Sequence, residues 1–310
     1  MLEILTMLVP SFLIIIGLVI ILDLYVLIRK YLKLKIEKLK KEKFDAKNYN
    51  LKNLKIITST GSPLVKESFV YVYEKIKKDV HLGSISGGTD VVGVINICNP
   101  FSNIYAGEIQ CPSLGIDVDV FDENGNSTKV GENGELVIKK PFPSMPVMFW
   151  NDKSEDKILK AYFKKYKNIW HHGDYIQKTK NGGYIIYGRS DSTLKPGGVR
   201  IGTSEIYRQV ESFDEILESI VVGQNYQDDI RIILFIKLAS GCIFSKELED
   251  KIKKKIRTNC SPRHIPSKII VCPDIPRTKS NKIVEVAVRK IINGDKIDNF
   301  EALANPESLE

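Results

Sequence analysis

The spacing of hydrophobic and polar positions changes several times along the chain, and each change predicts a different element. Short apolar runs at 54–58 and 80–85 predict strands. Helical spacing over 64–78, with Pro63 at its start, predicts a helix between them. From 91 to 138, short alternating runs separated by turn residues predict an all-β region.

The later part of the chain alternates between the two kinds of pattern. A helix is predicted at 152–166, and a turn at 181–183 precedes a strand at 184–187. Beyond Arg189 the pattern predicts helices at 204–210, 245–257 and 283–292, and strands at 216–222, 231–238 and 268–271. These elements predict a compact α+β unit at 191–310, which follows a region at 51–190.

The N-terminal segment is of another kind. Residues 5–22 form an uncharged run of eighteen residues, and the apolar sequence continues to Ile28. A helix of residues 5–28 would rise about 36 Å, which exceeds the ~30 Å hydrocarbon core of a bilayer. The run therefore predicts a transmembrane-like segment at 1–28. The alternatives are a cleaved signal peptide and non-native sequence joined to a gene fragment.

The positive charge is concentrated in a basic linker at 29–50. The chain of 310 residues has a net charge of +8, and Arg29 to Lys43 contributes +6 of it, from eight Lys/Arg against two Glu. Because the remainder is close to neutral, the charge gives no reason to expect nucleic-acid binding. The basic run after the apolar segment predicts a cytoplasmic location for the rest of the chain, with the linker as a solvated helix attracted to anionic lipid.

The cysteines argue for a reducing compartment. Their number is odd and no pair has C-x-x-C spacing, so neither a zinc site nor a disulfide framework is predicted. The five positions are Cys98, Cys111, Cys242, Cys260 and Cys272.

Two polar clusters in the first region offer candidate chemistry. Residues 86–90 combine glycines, which allow close approach of a ligand, with the hydroxyl of Thr89 and the carboxylate of Asp90, which suit phosphate or Mg²⁺. A plain turn at a strand end is the alternative. Residues 170–175 contain His-His-x-Asp, but neighbouring histidines on a strand point to opposite faces, which disfavours zinc. Asp174 could instead accept hydrogen bonds from sugar hydroxyls.

Two further clusters lie near and beyond the predicted boundary. Residues 187–200 are rich in glycine and charge, which suits a hinge with an anion site. Residues 276–283 form a basic loop before a predicted helix. Taken singly, an exposed linker and a solvated charge run are the favoured explanations.

The order and wording of these clusters resemble the adenylate-forming acyl-CoA synthetase superfamily, and its acetoacetate–CoA ligases in particular. The resemblance covers residues 54–310, and the matching stretches are SISGGTD, GEIQCP, KPFPSMP, FWND, GRSD, GGVRIGTSEIY, SPRHIP and IPRT. It implies α/β and α+β architecture. Residues 51–190 would be the C-terminal part of a large adenylation domain, with a sheet and a small β-barrel, and 191–310 a small mobile α+β domain.

The resemblance also implies the reaction. Such enzymes join a carboxylate, here acetoacetate, to ATP with Mg²⁺, release diphosphate, and then let the thiol of CoA attack the acyl-adenylate. The implied partners are these small molecules, with membrane contact through the N-terminal helix.

Site residues follow from the matched motifs. Catalytic roles fall on Lys282 and Thr89, near the α-phosphate, and on Arg200, near the phosphate during thioester formation. Asp90 would bind Mg²⁺, Gly198 would lie near the pantetheine of CoA, and Asp191 would be the hinge. The implied nucleotide-binding residues are Gly61, Ser62 and Pro63 under the adenine, Gly87, Gly88 and Thr89, Asp174 at the ribose, and Arg189 beside it.

The chain also departs from the pattern of these enzymes. Asn281 stands where a glycine usually precedes the lysine, and Gly87 replaces a tryptophan that closes the acyl pocket in acetyl-specific relatives, which predicts room for a longer acyl group. Full-length relatives are roughly twice as long, and their phosphate-wrapping loop has no counterpart here. The expectation is a truncated chain, inactive alone or completed by a separate N-terminal half. A membrane-tethered nucleotide- or CoA-binding module and a gene fragment are the alternatives.

Overall fold

The structure is a computed structural model that describes residues 36, 39, 44–61, 63–152, 154–279, 282–297 and 300–309. The predicted transmembrane segment at 5–28 lies outside the described residues, as does most of the basic linker up to residue 43. Within the described ranges, no helix has the length and apolar character needed to cross a bilayer.

Helices and strands follow the order that the sequence predicts. The strands are β1 (Ile56–Ser59), β2 (His81–Ser84), β3 (Ser86–Gly88), β4 (Gly93–Ile97), β5 (Cys111–Pro112), β6 (Val118–Phe121), β7 (Asn133–Ile138), β8 (Trp170–Lys178), β9 (Tyr184–Arg189), β10 (Ile216–Tyr226), β11 (Asp229–Leu238) and β12 (Lys268–Val271). The α-helices are α1 (Lys66–Tyr71), α2 (Asp156–Ile158), α3 (Thr203–Val210), α4 (Lys246–Asn259) and α5 (Glu285–Ile292).

A parallel strand pair, β1 and β2, begins the described fold. Helix α1 connects the two strands and continues as a π-helical turn, Val72–Ile76. Phe69, on α1, and Leu82, on β2, are buried in the cluster beneath them, and Ile36 and Leu39 pack against the same cluster. The basic linker thus contributes apolar side chains to the core, which a fully solvated helix would not do.

Two antiparallel sheets follow, in the strand orders β3-β4-β5 and β6-β7-β8-β9. Their shared core is built around Trp170, which is 1% exposed. The helix predicted at 152–166 is shorter than expected, because only α2 and a π-helical turn, Leu159–Phe163, are helical. Glu155 precedes α2 in left-handed backbone (φ +61°), which prevents the helix from extending toward the N-terminus.

The last unit packs helices against the sheet β10-β11-β12, in which β10 and β11 are antiparallel and β12 runs parallel to β11. Helix α4 shows why this sequence folds as it does. The hydroxyl of Ser245 accepts a 3.2 Å hydrogen bond from the amide of Leu248, which caps the helix. Leu248, Ile252 and Ile256, spaced four residues apart, are buried against the sheet.

Candidate active site

Two of the candidate segments, the one that contains Gly61 and the cluster at 86–90, lie at one edge of the parallel pair. The turn at 60–63 follows β1 and the cluster at 86–90 follows β2, so both come after the carboxyl ends of paired strands. The amide of Ile85 donates to the carbonyl of Ser59 at 2.9 Å and holds the two chain segments together. Gly61 has φ +91°, a value that favours glycine, while Ser62 lies outside the described residues. Carboxyl edges of parallel strands are where α/β proteins bind ligands.

Gly87 and Gly88 belong to strand β3 rather than to a loop. A Cβ atom on Gly87 would lie 2.1 Å from the carbonyl oxygen of Gly93, so β4 comes too close for any side chain. The prediction that Gly87 makes room for a longer acyl group gains no support, because the space in that direction is filled by backbone. A Cβ atom on Gly88 would lie 3.0 Å from Cε1 of His172, which places the first cluster beside the second.

Thr89 and Asp90 occupy an exposed turn at the end of β3. Asp90 Oδ2 accepts a hydrogen bond from the hydroxyl of Tyr162, whose ring stacks on Trp170 with the centroids 3.7 Å apart. Burial, together with the hydrogen bond to Asp90, raises the pKa of Tyr162. Tyr162 therefore remains a neutral donor that orients the Asp90 carboxylate.

Asp174 lies on β8 directly opposite Arg189 on β9. Its Oδ1 accepts a 3.2 Å hydrogen bond from Nη1 of Arg189, which also donates to the carbonyl of His172 at 3.0 Å. The second oxygen, Oδ2, is 3.8 Å from Nε2 of His172, beyond hydrogen-bond distance. The Asp174 side chain is mostly buried, at 12% exposed. Arg189 thus holds one of its carboxylate oxygens, while the other can still accept a hydrogen bond from a ligand.

The two adjacent histidines point to opposite faces of β8, as the strand pattern predicts. His171 Nε2 lies 2.9 Å from Glu135 Oε2, whereas His172 Nδ1 accepts a 3.3 Å hydrogen bond from the indole of Trp170. Burial lowers the pKa of His172. The indole contact on Nδ1 leaves the proton of the neutral ring on Nε2, toward Asp174.

Arg200 is engaged by a residue that the sequence did not single out. Its Nη2 donates to Glu135 Oε1 at 2.8 Å, its Nε donates to Thr193 Oγ1 at 3.3 Å, and its guanidinium lies 4.5 Å from the centroid of the Tyr175 ring. Glu135 is 1% exposed, inside β7. A charged residue in the apolar stretch GELVI was the available signal for it.

The remaining candidates lie beyond β9. Asp191 is in a 3₁₀ turn, Ser190–Ser192, and its carbonyl accepts a hydrogen bond from Arg289 of α5. Gly198 has φ +76° and lines an open groove of about 610 Å³ at the tip of the β10–β11 hairpin. No hydrogen bond or ion pair among the described residues joins Lys282 to Asp174, Arg189 or Asp90.

Lys282 lies in a closed loop, with its side chain exposed. The amide of Thr278 donates to the carbonyl of Lys282 at 2.8 Å, and the amide of Lys282 donates to the hydroxyl of Thr278 at 3.1 Å. Asn281, the residue that departs from the family pattern, lies outside the described residues.

The candidate site offers a metal ion one carboxylate, that of Asp90, rather than a set of several protein ligands. In the described ranges, no group of three or more His, Cys, Asp or Glu side chains could hold a metal. Asp90 is exposed and carries a hydrogen bond on one oxygen only. This arrangement fits Mg²⁺, which binds through one or two carboxylates together with substrate phosphates.

Comparison with known proteins gives a consistent result. The chain is 54% identical over 258 residues to "Acetoacetyl-coenzyme A synthetase" of Rhizobium meliloti (strain 1021), which covers 83% of this chain and 40% of that protein. It is 48% identical over 259 residues to "Acetoacetyl-CoA synthetase" of Xenopus tropicalis, covering 83% and 38%. No family model matches the chain.

The structural comparison agrees with the sequence comparison. The solved acetoacetyl-CoA synthetase from Streptomyces lividans superimposes with a TM-score of 0.78 at 38% identity, covering 85% of this chain and 41% of that one. The chain therefore spans about two fifths of the length of the relatives that it matches.

Proposed function

We propose that this chain, a homologue of the acetoacetyl-CoA synthetases with the fold of adenylate-forming enzymes, supplies part of the site of an acetoacetate–CoA ligase. In the proposed reaction a carboxylate oxygen of acetoacetate attacks the α-phosphorus of ATP and diphosphate leaves. The thiolate of CoA then attacks the acyl carbon and AMP leaves. ATP, CoA and acetoacetate are the proposed substrates.

One observation carries this proposal: the carboxylate of Asp174 is held by Arg189 on the strand whose His172 lies against Gly88, in the cluster that follows β2. A fixed carboxylate with one oxygen still able to accept is suited to the hydroxyls of a ribose. Gly88 is in contact range of His172, two residues before Asp174, so the strand that leads to Thr89 is adjacent. A nucleotide lying across this edge would meet the sugar-binding and phosphate-binding groups together.

We assign roles to the other candidate residues for a nucleotide bound in this position. Gly61, Ser62 and Pro63 would support the adenine, since a flat turn needs no cation to contact a flat base. Gly87, Gly88 and Thr89 would approach the α-phosphate. Lys282 and Arg200 would offset the negative charge that builds up when two anions meet, the usual requirement of phosphoryl chemistry. Gly198 would lie near the pantetheine of CoA.

The proposed metal position is the Asp90 turn. Mg²⁺ would neutralise charge on the phosphates of ATP when bound. The contribution of this chain is to hold the Asp90 carboxylate with the hydroxyl of Tyr162, so that it faces the nucleotide in one orientation.

We also propose a division of the chain at Asp191. Residues 51–190 and 191–310 have different hydrophobic clusters, one around Trp170 and others that include Ile206 and Val288. A large domain followed by a small domain that turns about Asp191 would bring Lys282 and Arg200 to the nucleotide in different steps. The lack of a hydrogen bond or ion pair between Lys282 and Asp174 among the described residues is consistent with a second arrangement.

The short span of the chain relative to its relatives favours a second candidate function. Without the remaining three fifths, the chain would be a nucleotide- or CoA-binding module rather than a complete ligase. A separate N-terminal half of the synthetase would then be its partner. Residues 5–28 would anchor the module to a membrane, with the ligase part in the cytoplasm.

Calorimetry with AMP and CoA tests the proposed site. We expect the chain to bind AMP, and Asp174→Asn to weaken this binding at least about tenfold, since a hydrogen bond to a charged group contributes roughly 1.5–3 kcal/mol. Asp117→Asn is the control, because Asp117 forms its ion pairs with Lys139 and Lys140 at the surface. Failure to bind either AMP or CoA would remove both candidate functions.

Acetoacetate-dependent exchange of diphosphate into ATP separates the two candidates. We expect no exchange from this chain alone, and exchange once the missing part of a related synthetase is added. Robust exchange by the chain alone would show that it is a complete adenylating enzyme.

A further inference from the structure

Glu135 is the most highly connected charged side chain near the candidate site. It is 1% exposed and lies within β7, where its neighbours in sequence are buried. Oε1 accepts from Lys165 at 2.6 Å and from Arg200 at 2.8 Å. Oε2 lies 2.9 Å from Nε2 of His171 and accepts a hydrogen bond from the hydroxyl of Ser190.

These four partners come from two sides of the candidate hinge. Lys165 and His171 belong to the part of the chain that leads into and forms the four-stranded sheet. Ser190 and Arg200 stand at the two ends of the segment 190–200, which contains Asp191. The segment is folded back on itself, because Leu194 and Ile201 exchange two backbone hydrogen bonds of 2.9 Å.

The charges make this contact stable. Burial alone would raise the pKa of Glu135, but the hydrogen bonds from His171, Lys165, Ser190 and Arg200 outweigh burial and hold the pKa far below its usual range. Charge-assisted hydrogen bonds of this kind are roughly twice as strong as neutral ones. The side chain of Arg200 is itself only 15% exposed, so the ion pair is largely shielded from water and salt.

We propose that Glu135 is a positioning residue that fixes Arg200 and clamps the segment 190–200 onto the four-stranded sheet. The role of Arg200 at a phosphate rests on the proposed function, whereas the clamp does not. With Arg200 on Glu135, its guanidinium is occupied, and a phosphate has to compete with the carboxylate for it. Lys165 and His171 remain beside Glu135 when Arg200 leaves. The buried carboxylate therefore keeps two partners and is not left as an unpaired charge.

Hydrogen exchange of the whole chain, followed by mass spectrometry, tests the clamp. In Arg200→Met and Glu135→Gln we expect peptides covering 190–202 to exchange at least about tenfold faster, as loss of a charge-assisted hydrogen bond predicts. The double variant should exchange no faster than either single one. Lys165→Met is the matched control, because it removes a partner of Glu135 on the sheet side and should leave 190–202 unchanged.

If Glu135→Gln fails to fold, Arg200→Met still decides the test. In Arg200→Met the carboxylate of Glu135 keeps Lys165 and His171 as partners, so the protein should fold. Wild-type exchange at 190–202 in Arg200→Met would overturn the clamp. So would equal acceleration in Lys165→Met, which would indicate general loosening of the sheet.

AMP titration tests whether Glu135 competes with a phosphate for Arg200. The expected result is tighter binding, which a loss of structure alone would not produce. Releasing Arg200 by Glu135→Gln should tighten AMP binding several-fold, and Glu135→Gln combined with Arg200→Met should abolish the gain. Unchanged or weaker binding in folded Glu135→Gln would show that Glu135 does not compete with a phosphate for Arg200. A wild-type chain that binds no AMP while 190–202 responds would instead refute the proposed function and leave the clamp standing.

Discussion

The hydroxyl of Tyr207 donates a 2.6 Å hydrogen bond to Oε1 of Glu285, joining α3 to the first residue of α5. The hydroxyl oxygen of Tyr207 in turn accepts a 3.1 Å hydrogen bond from the amide of Val221 on β10. The hydroxyls of Ser192 and Thr203 also contact Glu285. Strand β10, helices α3 and α5, and the segment after β9 therefore meet at the pair of Tyr207 and Glu285.

This junction predicts a pH effect on stability. Burial, aided by the negative charge of Asp191, raises the pKa of Glu285 above its unfolded value. The folded state thus holds the proton more tightly, so this group's contribution to stability is present below the unfolded pKa and is lost as pH rises through the folded pKa. We expect Glu285→Gln to flatten the fall in stability between about pH 4.5 and neutral pH, as measured by urea unfolding.

The buried Glu135 has a lowered pKa, so its effect on stability changes with pH in the opposite direction. Because this effect is the same in the variant and the wild type, the difference between them gives the contribution of Glu285. Identical slopes of stability against pH for the variant and the wild type would contradict a raised pKa at Glu285.

Removing the hydroxyl of Tyr207 should destabilise the last unit. Tyr207→Phe deletes a donor to Glu285 and an acceptor for Val221, and we expect a loss of about 1–3 kcal/mol in the free energy of unfolding. Tyr226→Phe is the control, because Tyr226 is 46% exposed and its ring stacks against Arg231 without using the hydroxyl. Equal losses in the two variants would show that the Tyr207 hydrogen bonds contribute nothing specific.

The effect of Gly61 on AMP binding can be distinguished from the effect of backbone strain elsewhere in the chain. A β-branched residue at φ +91° is costly, by about 1–2 kcal/mol, so Gly61→Val should distort the turn and weaken AMP binding, as measured by calorimetry. Gly131 has φ +90° with open space around its Cβ position, and Gly131→Val imposes the same strain elsewhere. AMP binding that falls equally in both variants would refute a role for Gly61 at the adenine.

The hairpin β3–β4 offers a test of close packing. A methyl group on Gly87 meets backbone 2.1 Å away, so we expect Gly87→Ala to cost roughly 3 kcal/mol or to prevent folding of this hairpin. Gly93→Ala, on the paired strand, meets nothing closer than 3.5 Å and should be tolerated. Thermal unfolding of the two variants measures the difference, and a stable Gly87→Ala protein would show that the strands can separate.

Much of the fold could be predicted from local pattern, because most elements bury one face. Helix α4 and strand β12 lie within two residues of their predicted ends, since their apolar spacing and flanking turns are encoded nearby. The helix predicted at 152–166 is shorter in the structure, because its start is fixed by left-handed Glu155 and its aromatic residues pack on Trp170. Those constraints come from tertiary contacts.

The candidate site could be predicted only in part, for the same reason. Asp174 and Arg189 stand out by residue type and position. Glu135 does not, because its role depends on partners up to 65 residues away, such as Arg200. No short window of sequence contains that contact.

The packing of Ile36 on the hydrophobic cluster beneath β1 and β2 limits how far this cluster could stand from a bilayer that held Ile28. Seven residues separate Ile28 from Ile36, and the eight steps between their Cα atoms cannot reach beyond about 29 Å even when fully extended. If residues 5–28 occupy a membrane, the cluster that carries β1 and β2 is held within that distance of its surface.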